Sequence, residues 1–252
     1  MSLLLIRRSL ITPRQAAPAG ESYPDLILSR NPLVYFRLNE TSGTSAADAT
    51  GTYAGTYVNS PALGEPGVID TAVAFNGSAQ RVETDVNDLT LGGANPLSIE
   101  WWFKASSQSS PNMHFGANNS GTSERLWAYW GSGTVGTDRL RVDYSSGGTQ
   151  KNAVTNATAS SLADGQWHHV VAVYHDANTA MDIYIDGVDD LRENSQNGTT
   201  STVNTLTRPL FLAARNNNGT PDLHWPGTID EFAIYDQALT AAEVAENYDA
   251  AA

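Results

Sequence analysis

From Asp25 onwards the chain is built of short runs in which apolar, β-branched and aromatic residues alternate with polar ones, separated by clusters of Gly, Asn, Ser and Asp. A period of two marks strands that bury one face. The pattern predicts strands over Val34–Leu38, Ala72–Phe75, Arg81–Glu83, Ser98–Lys104, Leu126–Trp130, Leu140–Tyr144, His168–Tyr174, Met181–Ile185, Leu210–Ala213 and Thr228–Tyr235. In His168–Tyr174, Val170, Ala172 and Tyr174 fall on one face and His169, Val171 and Val173 on the other, which predicts a central strand touched by protein on both sides. In Thr228–Tyr235 the same alternation puts Asp230 on a face with Phe232 and Ile234. Asp186-Gly187 is a hairpin signal, because both residues tolerate the positive φ of a tight turn, and Val188 opens the return strand. Thr240 and Glu243 have capping-box spacing ahead of a run of helix formers, so one helix is predicted over Ala241–Tyr248. Asn194–Thr202, rich in Ser, Thr, Asn and Gly, reads as a surface loop.

The first 24 residues differ. They contain Pro13, Pro18 and Pro24 and no sustained alternation, so residues 1–24 are read as an extended arm or linker and residues 25–252 as the folded domain. The arm is also electrically distinct. It holds Arg7, Arg8 and Arg14 and no acid before Gly20, whereas the remainder has 11 basic residues (14 less those three) against 27 acidic, a net −16 within an overall −13. Such a balance argues against a nucleic-acid partner, which needs clustered Lys and Arg. Charged residues are only 16% of the chain and apolar ones 40%, a composition suited to turn-rich β structure with a real core. The absence of cysteine excludes disulfides and thiolate metal sites. No stretch approaches the length of a membrane span. The apolar run Leu3–Ile6 precedes Arg7-Arg8, the reverse of a secretory signal, and no signal peptide is expected.

Several segments in order resemble the laminin-G-like branch of the concanavalin-A-like lectin and glucanase sandwiches. They are Val34-Tyr35-Phe36-Arg37-Leu38-Asn39-Glu40 followed by Ala47-Asp48-Ala49-Thr50-Gly51, Ala74-Phe75-Asn76-Gly77-Ser78, Leu97-Ser98-Ile99-Glu100-Trp101-Trp102-Phe103, Trp167-His168-His169-Val170-Val171-Ala172-Val173-Tyr174, Ile183-Tyr184-Ile185-Asp186-Gly187, and Gly227-Thr228-Ile229-Asp230-Glu231-Phe232-Ala233-Ile234-Tyr235. The resemblance spans roughly Leu28 to Tyr248. It implies an all-β, two-sheet antiparallel jelly-roll sandwich closed by the short C-terminal helix.

The resemblance also implies a structural calcium site at Asp48 and Asp230, with Gly51 as a carbonyl donor and Glu40 as a weaker candidate. Calcium favours such mixtures of carboxylates and loop carbonyls. The alternative is that Asp48 forms an Asx-turn and that Asp230 caps a strand end or meets Arg37. Glycans are the family's commonest ligands, and they call for aromatic faces with amide and carboxylate groups. Trp127, Tyr129 and Trp130, with Tyr144 on a neighbouring strand, and Asn217, His224 and Trp225 in the loops before the last strand are the candidates. Against that, aromatics in strands are commonly core, as expected for Trp101, Trp102 and Trp167.

Enzymatic readings fail on the residues. A Glu-x-Asp-x-Glu glycosidase strand has its nearest match in Glu83-Thr84-Asp85-Val86-Asn87, which ends in Asn. Neighbours in a strand point to opposite faces, so His168 and His169 cannot share a zinc ion from one side. A non-enzymatic binding or structural role follows. Because this fold class is mostly extracellular, a chain without a leader is expected to be a virion surface component, a phage capsid decoration or tail protein anchored to other virion proteins by residues 1–24. The alternative is an extracellular, calcium-dependent carbohydrate-binding module. Homo-oligomerisation is left open.

Overall fold

The computed structural model describes residues 22–107, 112–119, 124–131, 138–176, 178, 181–197 and 202–251. The predicted arm up to Glu21 lies outside these. Two antiparallel sheets face each other. One has eight strands, in the order Val188–Asp189, Asp182–Ile185, Trp167–Tyr174, Leu97–Lys104, Pro226–Tyr235, Thr71–Asn76 and Ala62–Pro66, with Val34–Phe36 also pairing with Pro226–Tyr235. The other has eleven. Its main path runs Leu191–Asn197, Thr149–Thr158, Arg139–Ser146, Arg125–Trp130, Asn112–Asn118, Phe211–Leu212, Arg81–Thr84, Ala54–Val58 and Ser45–Ala47, and Arg215–Asn217 joins Asn112–Asn118 in parallel. This is the predicted jelly-roll sandwich, and all ten predicted strands fall on observed ones.

The main core lies between the sheets. Ile99, Trp101 and Phe103 from one meet Leu126, Ala128 and Trp130 from the other, with edge-to-face ring pairs such as Trp101–Phe115 at 5.1 Å and Phe103–Trp130 at 5.8 Å. The eight-stranded sheet is buried on its other face too. There Tyr35, Trp102, Val171, Val173 and Tyr235 pack against Tyr23 and Ile27 of one helix and Val244 of another. Trp167–Tyr174 is therefore covered by protein on both faces, as its sequence predicts.

Those two helices, Tyr23–Ser29 and Ala241–Ala251, contact each other and form a third layer. The C-terminal one starts with the predicted capping box: Glu243 N donates to Thr240 Oγ1 at 3.3 Å, and Thr240 N donates to Glu243 Oε2 at 2.7 Å. The N-terminal one corrects the expected boundary. Pro24 stands in its first turn, where a missing N–H costs nothing, Ser22 caps it, and Tyr23 is buried. Residues 22–24 thus belong to the packed structure. Asn194–Asn197, expected in a loop, extend an edge strand paired with Gln150–Ala153. The hairpin at Asp186-Gly187 has φ +51 and +75, as a turn of this kind requires. In the last long strand the register slips between Asp230 and Ala233, with Glu231 at φ +50. Asp230 therefore stands opposite Trp102 while Ile234 stands opposite Ile99, and the alternation expected to group Asp230 with Phe232 and Ile234 is broken.

Candidate functional site

Strand alternation leaves one face of the eleven-stranded sheet pointing away from the core. Along Arg125–Trp130 the inward residues are Leu126, Ala128 and Trp130, and the outward ones are Arg125 and Trp127, each only 7% exposed beneath its neighbours, and the half-buried Tyr129. The register then assembles a row across five strands: Glu83 opposite Phe211, Phe211 opposite Gly116, Gly116 opposite Trp127, and Trp127 opposite Asp143. Gly116 makes the dip in this row. A Cβ there would lie 3.1 Å from Trp127 Cβ and 3.3 Å from Arg215 Cγ, so a missing side chain is what lets Arg215 lie against Trp127.

Each aromatic on this face carries a guanidinium. Arg125 lies 4.3 Å and Arg215 5.3 Å from the Trp127 ring centre, Arg141 6.0 Å from Tyr129 and Arg81 5.6 Å from Phe211. The carboxylates hold these groups in place. Asp143 accepts Trp127 Nε1 at 2.8 Å and Arg141 Nε at 2.6 Å. Asp222 takes Arg215 in a fork at 2.8 and 2.6 Å and Asn217 Nδ2 at 3.1 Å, while Asn217 Oδ1 accepts Asn118 Nδ2 at 2.9 Å. Asn118 Oδ1 is buried and has no partner among the described residues. Burial holds the Arg125 pKa below its ordinary value against the pull of Asp143, with Arg141 and Arg215 adding to the fall. Burial and Asp143 push the Tyr129 phenol up to about 12. Beyond Phe211 the face opens into a cavity of about 460 Å³ lined by Arg81, Glu83, Arg208, Phe211 and Asn216.

Of the expected ligand residues, Trp127, Tyr129 and Asn217 meet on this face. Trp130 and Trp225 do not: both are fully buried in the main core, where no ligand can stack on them. Trp225 folds back over its own chain, and a Cβ at Gly227 would fall 2.2 Å from its ring. Tyr144 is also core, stacked on Tyr174 at 4.1 Å. His224 is half-buried near Arg81 and Asp222, and burial lowers its pKa with help from Arg81. The sequence reading missed Arg125, Arg141, Asp143 and Arg215. The signal was present in the period-two spacing of Arg125-x-Trp127-x-Tyr129 and Arg141-x-Asp143, which places polar and aromatic side chains together on the outward face.

The expected metal residues have different environments. Asp48 accepts five hydrogen bonds: Tyr35 N at 2.8 Å and Thr50 N at 3.1 Å on Oδ1, and Thr50 Oγ1, Thr52 N and Tyr53 N at 2.5, 3.1 and 2.9 Å on Oδ2. It organises the turn through Gly51, whose N donates to Asp48 O at 2.9 Å, and its side chain has little capacity left for a cation. Asp230 is the reverse case. Its Oδ2 accepts Val68 N at 2.8 Å and Ile69 N at 3.3 Å, while its buried Oδ1 has no partner. Burial, then the neighbouring charge of Glu231, pushes its pKa up to about 8. The hydroxyl of Tyr57 feels both Glu40 and Asp230 and donates to Glu40 at 2.5 Å. Asp48 is thus engaged by five donors while Asp230 Oδ1 has no partner among the described residues, and among those residues no three His, Asp or Glu side chains converge as a ligand set. His168 meets Asp186 and Asp164, and His169 meets Glu100 in the helix-covered layer.

A family model described as the concanavalin A-like lectin/glucanases superfamily (Laminin_G_3) matches residues 75–245, more than half of the chain. The chain belongs to this superfamily. No curated protein matches it. Among solved structures, the binding domain of Paraclostridial Mosquitocidal Protein 1 is similar with a TM-score of 0.66 at 13% identity, over 88% of this chain and 52% of its own. Domain 4 of AbnA, a GH43 extracellular arabinanase from Geobacillus stearothermophilus in complex with arabinotriose, gives 0.57 at 21% identity over 86% of this chain and 97% of its own. The ligand binding domain of botulinum neurotoxin serotype D in complex with N-acetylneuraminic acid gives 0.61 at 12% identity over 88% and 52%. This laminin-G-like chain spans about half the length of the toxin domains it matches. At these identities the likeness is one of fold, and it is to binding domains and a glycosidase's accessory domain that this concanavalin-A-like chain is similar.

Proposed function

We propose that the protein is a non-catalytic glycan-binding module whose ligand lies on the outer face of the eleven-stranded sheet. The observation that carries this is the register row Phe211–Gly116–Trp127–Asp143 beside the row Asn217–Asn118–Arg125, which together set aromatic, amide and charged groups on one face with a built-in dip. Polar groups held in fixed positions beside aromatic rings are the usual make-up of a sugar site. The likeness to domains crystallised with arabinotriose and with N-acetylneuraminic acid supports the reading. Titrating the protein with a panel of neutral and acidic oligosaccharides is expected to give binding that Arg215→Ala weakens. Binding to no member of the panel would refute it.

Two finer points belong to the same reading. A single calcium ion is proposed at Asp230, with Glu40 beside it across Tyr57 and Asp48 left as the organiser of its turn. Support comes from the unpartnered Asp230 Oδ1 in a buried setting, where a cation would stabilise the ionised form. The domain is further proposed to be displayed on a virion through residues 1–21, whose three arginines contrast with the acidic remainder. Deleting residues 1–21 is expected to abolish particle attachment while leaving the melting temperature unchanged; retained attachment would remove the anchor.

A further inference from the structure

Resting on that reading of the outer face, we infer that its ligand is an anionic saccharide, bearing carboxylate or sulfate groups that seat against Arg141, Arg215 and Arg125 around Trp127. The first ground is what the face presents. Every aromatic ring in the row already has a guanidinium over it, so the indole of Trp127 is the support for Arg125 and Arg215 and no bare platform for a neutral sugar. Arginine stacked on an aromatic ring keeps its N–H edge for a planar anion.

The second ground is the count of donors against acceptors. A guanidinium has five N–H groups. Among the described residues, Arg141 commits its Nε to Asp143, and Arg215 commits Nε and Nη2 to Asp222, so each retains donors beyond those bonds. Three carboxylates on the face are already engaged: Asp143 by Trp127 and Arg141, Asp222 by Arg215 and Asn217, and Glu83 by Arg81 at 2.9 Å. Glu193, two strands from Arg141 in register and acting on it by charge, is the fourth. An incoming anion would meet the donors left over on Arg141 and Arg215.

The third ground is the contrast in charge. The protein as a whole is at −13 and repels anions, whereas on this face Arg81, Arg125, Arg141 and Arg215 offset Glu83, Asp143, Asp222 and Glu193. Within a Debye length of about 10 Å at 0.1 M salt, that local balance governs what approaches more than the overall charge does. The depressed Arg125 pKa, to which burial and both neighbouring arginines contribute, fits a site that an added anion would relieve. Asn118 Oδ1, buried and unpartnered beside Asn217, supplies an acceptor for a hydroxyl, which a bare sulfate or phosphate ion could not use.

The test is calorimetric titration of the full chain with a heparin-derived oligosaccharide, an oligogalacturonide and a neutral arabino-oligosaccharide. The expected result is that one or both anionic probes bind at least about tenfold more tightly than the neutral one, and which of them does so separates sulfate from carboxylate. Raising the salt should weaken that binding. Arg141→Gln and Arg215→Gln should each cost about tenfold or more, Arg215→Lys should recover part of the loss, and Lys104→Gln on the other sheet should change nothing. Each variant is compared at matched melting temperature, which separates lost contacts from lost folding. Equal or tighter binding of the neutral probe would overturn the inference and leave the glycan reading standing. Anionic binding indifferent to both arginine variants would overturn it by moving the site elsewhere, and no binding by any probe would remove both readings.

Discussion

Glu100 has no exposed surface, and its two oxygens are met by His169 Nε2 at 2.7 Å, Tyr235 Oη at 2.6 Å, Asn247 Nδ2 at 2.9 Å and Tyr23 Oη at 3.1 Å. Burial alone would push its pKa up, but His169 foremost, then Tyr235 and Asn247, hold it below the usual carboxylate range. A depressed folded pKa gives stability that is present above the unfolded value of 4.5 and lost as pH falls through the folded value. Glu100→Gln is therefore expected to cost about 2–4 kcal/mol at pH 7 in urea unfolding and to flatten the acid limb of the stability profile. Asp230 has the opposite sign. Its pKa near 8 favours the protonated form in the folded state, so its contribution is present below 3.8 and lost as pH rises through 8. Without metal, Asp230→Asn should melt higher than the parent at pH 8 and equal to it below pH 4. Calcium should raise the parent's melting temperature at pH 8 and leave Asp230→Asn unmoved. A parent that ignores both calcium and chelator would remove the cation.

At the scale of elements, the outer face depends on Gly116 more than on any aromatic. Gly116→Ala puts a methyl group 3.1 Å from Trp127 Cβ and against Arg215, so the expected outcome is weaker ligand binding with a stability loss of only about 1 kcal/mol, read by titration and melting together. Thr240→Ala should cost about 1 kcal/mol by unpicking the capping box, without touching binding. The box was legible in the sequence because a cap is local, and so were strands with a clean period of two. Thr149–Thr158 and Asn112–Asn118 were not: Lys151 and Thr155 are buried polar residues in step with Ala153, and His114 and Phe115 are both buried where the register shifts. In Leu191–Asn197 every residue after Leu191 is polar, so no alternation exists to read. Trp130 and Trp225 look like binding aromatics in one dimension. Only the facing sheet shows that both point into the core. The row Phe211–Gly116–Trp127 joins residues nearly a hundred positions apart, and no local pattern encodes that pairing. The slip at Asp230 is hidden for a related reason: a bulge changes which face a residue serves without changing its neighbours in sequence.

At the scale of the whole molecule, the two sheets divide the work. The central strands of the eight-stranded sheet are covered on both faces, by the main core and by the terminal helices that Glu100 ties down through Tyr23 and Asn247. The eleven-stranded sheet seals one face and turns the other, with its arginines and aromatics, outward. An acidic body with one face on which arginines offset the carboxylates discriminates ligands by charge as well as shape. That this outer face is the ligand surface is tested by side-chain NMR of the full chain titrated with whichever saccharide of a neutral and anionic panel binds. The indole N–H of Trp127 and the Nε–H groups of Arg141 and Arg215 are expected to shift with the ligand while the indole N–H of Trp102, beneath the helices, stays in place. Shifts confined to Trp102 and the helix-covered sheet, with Trp127 unmoved, would contradict it.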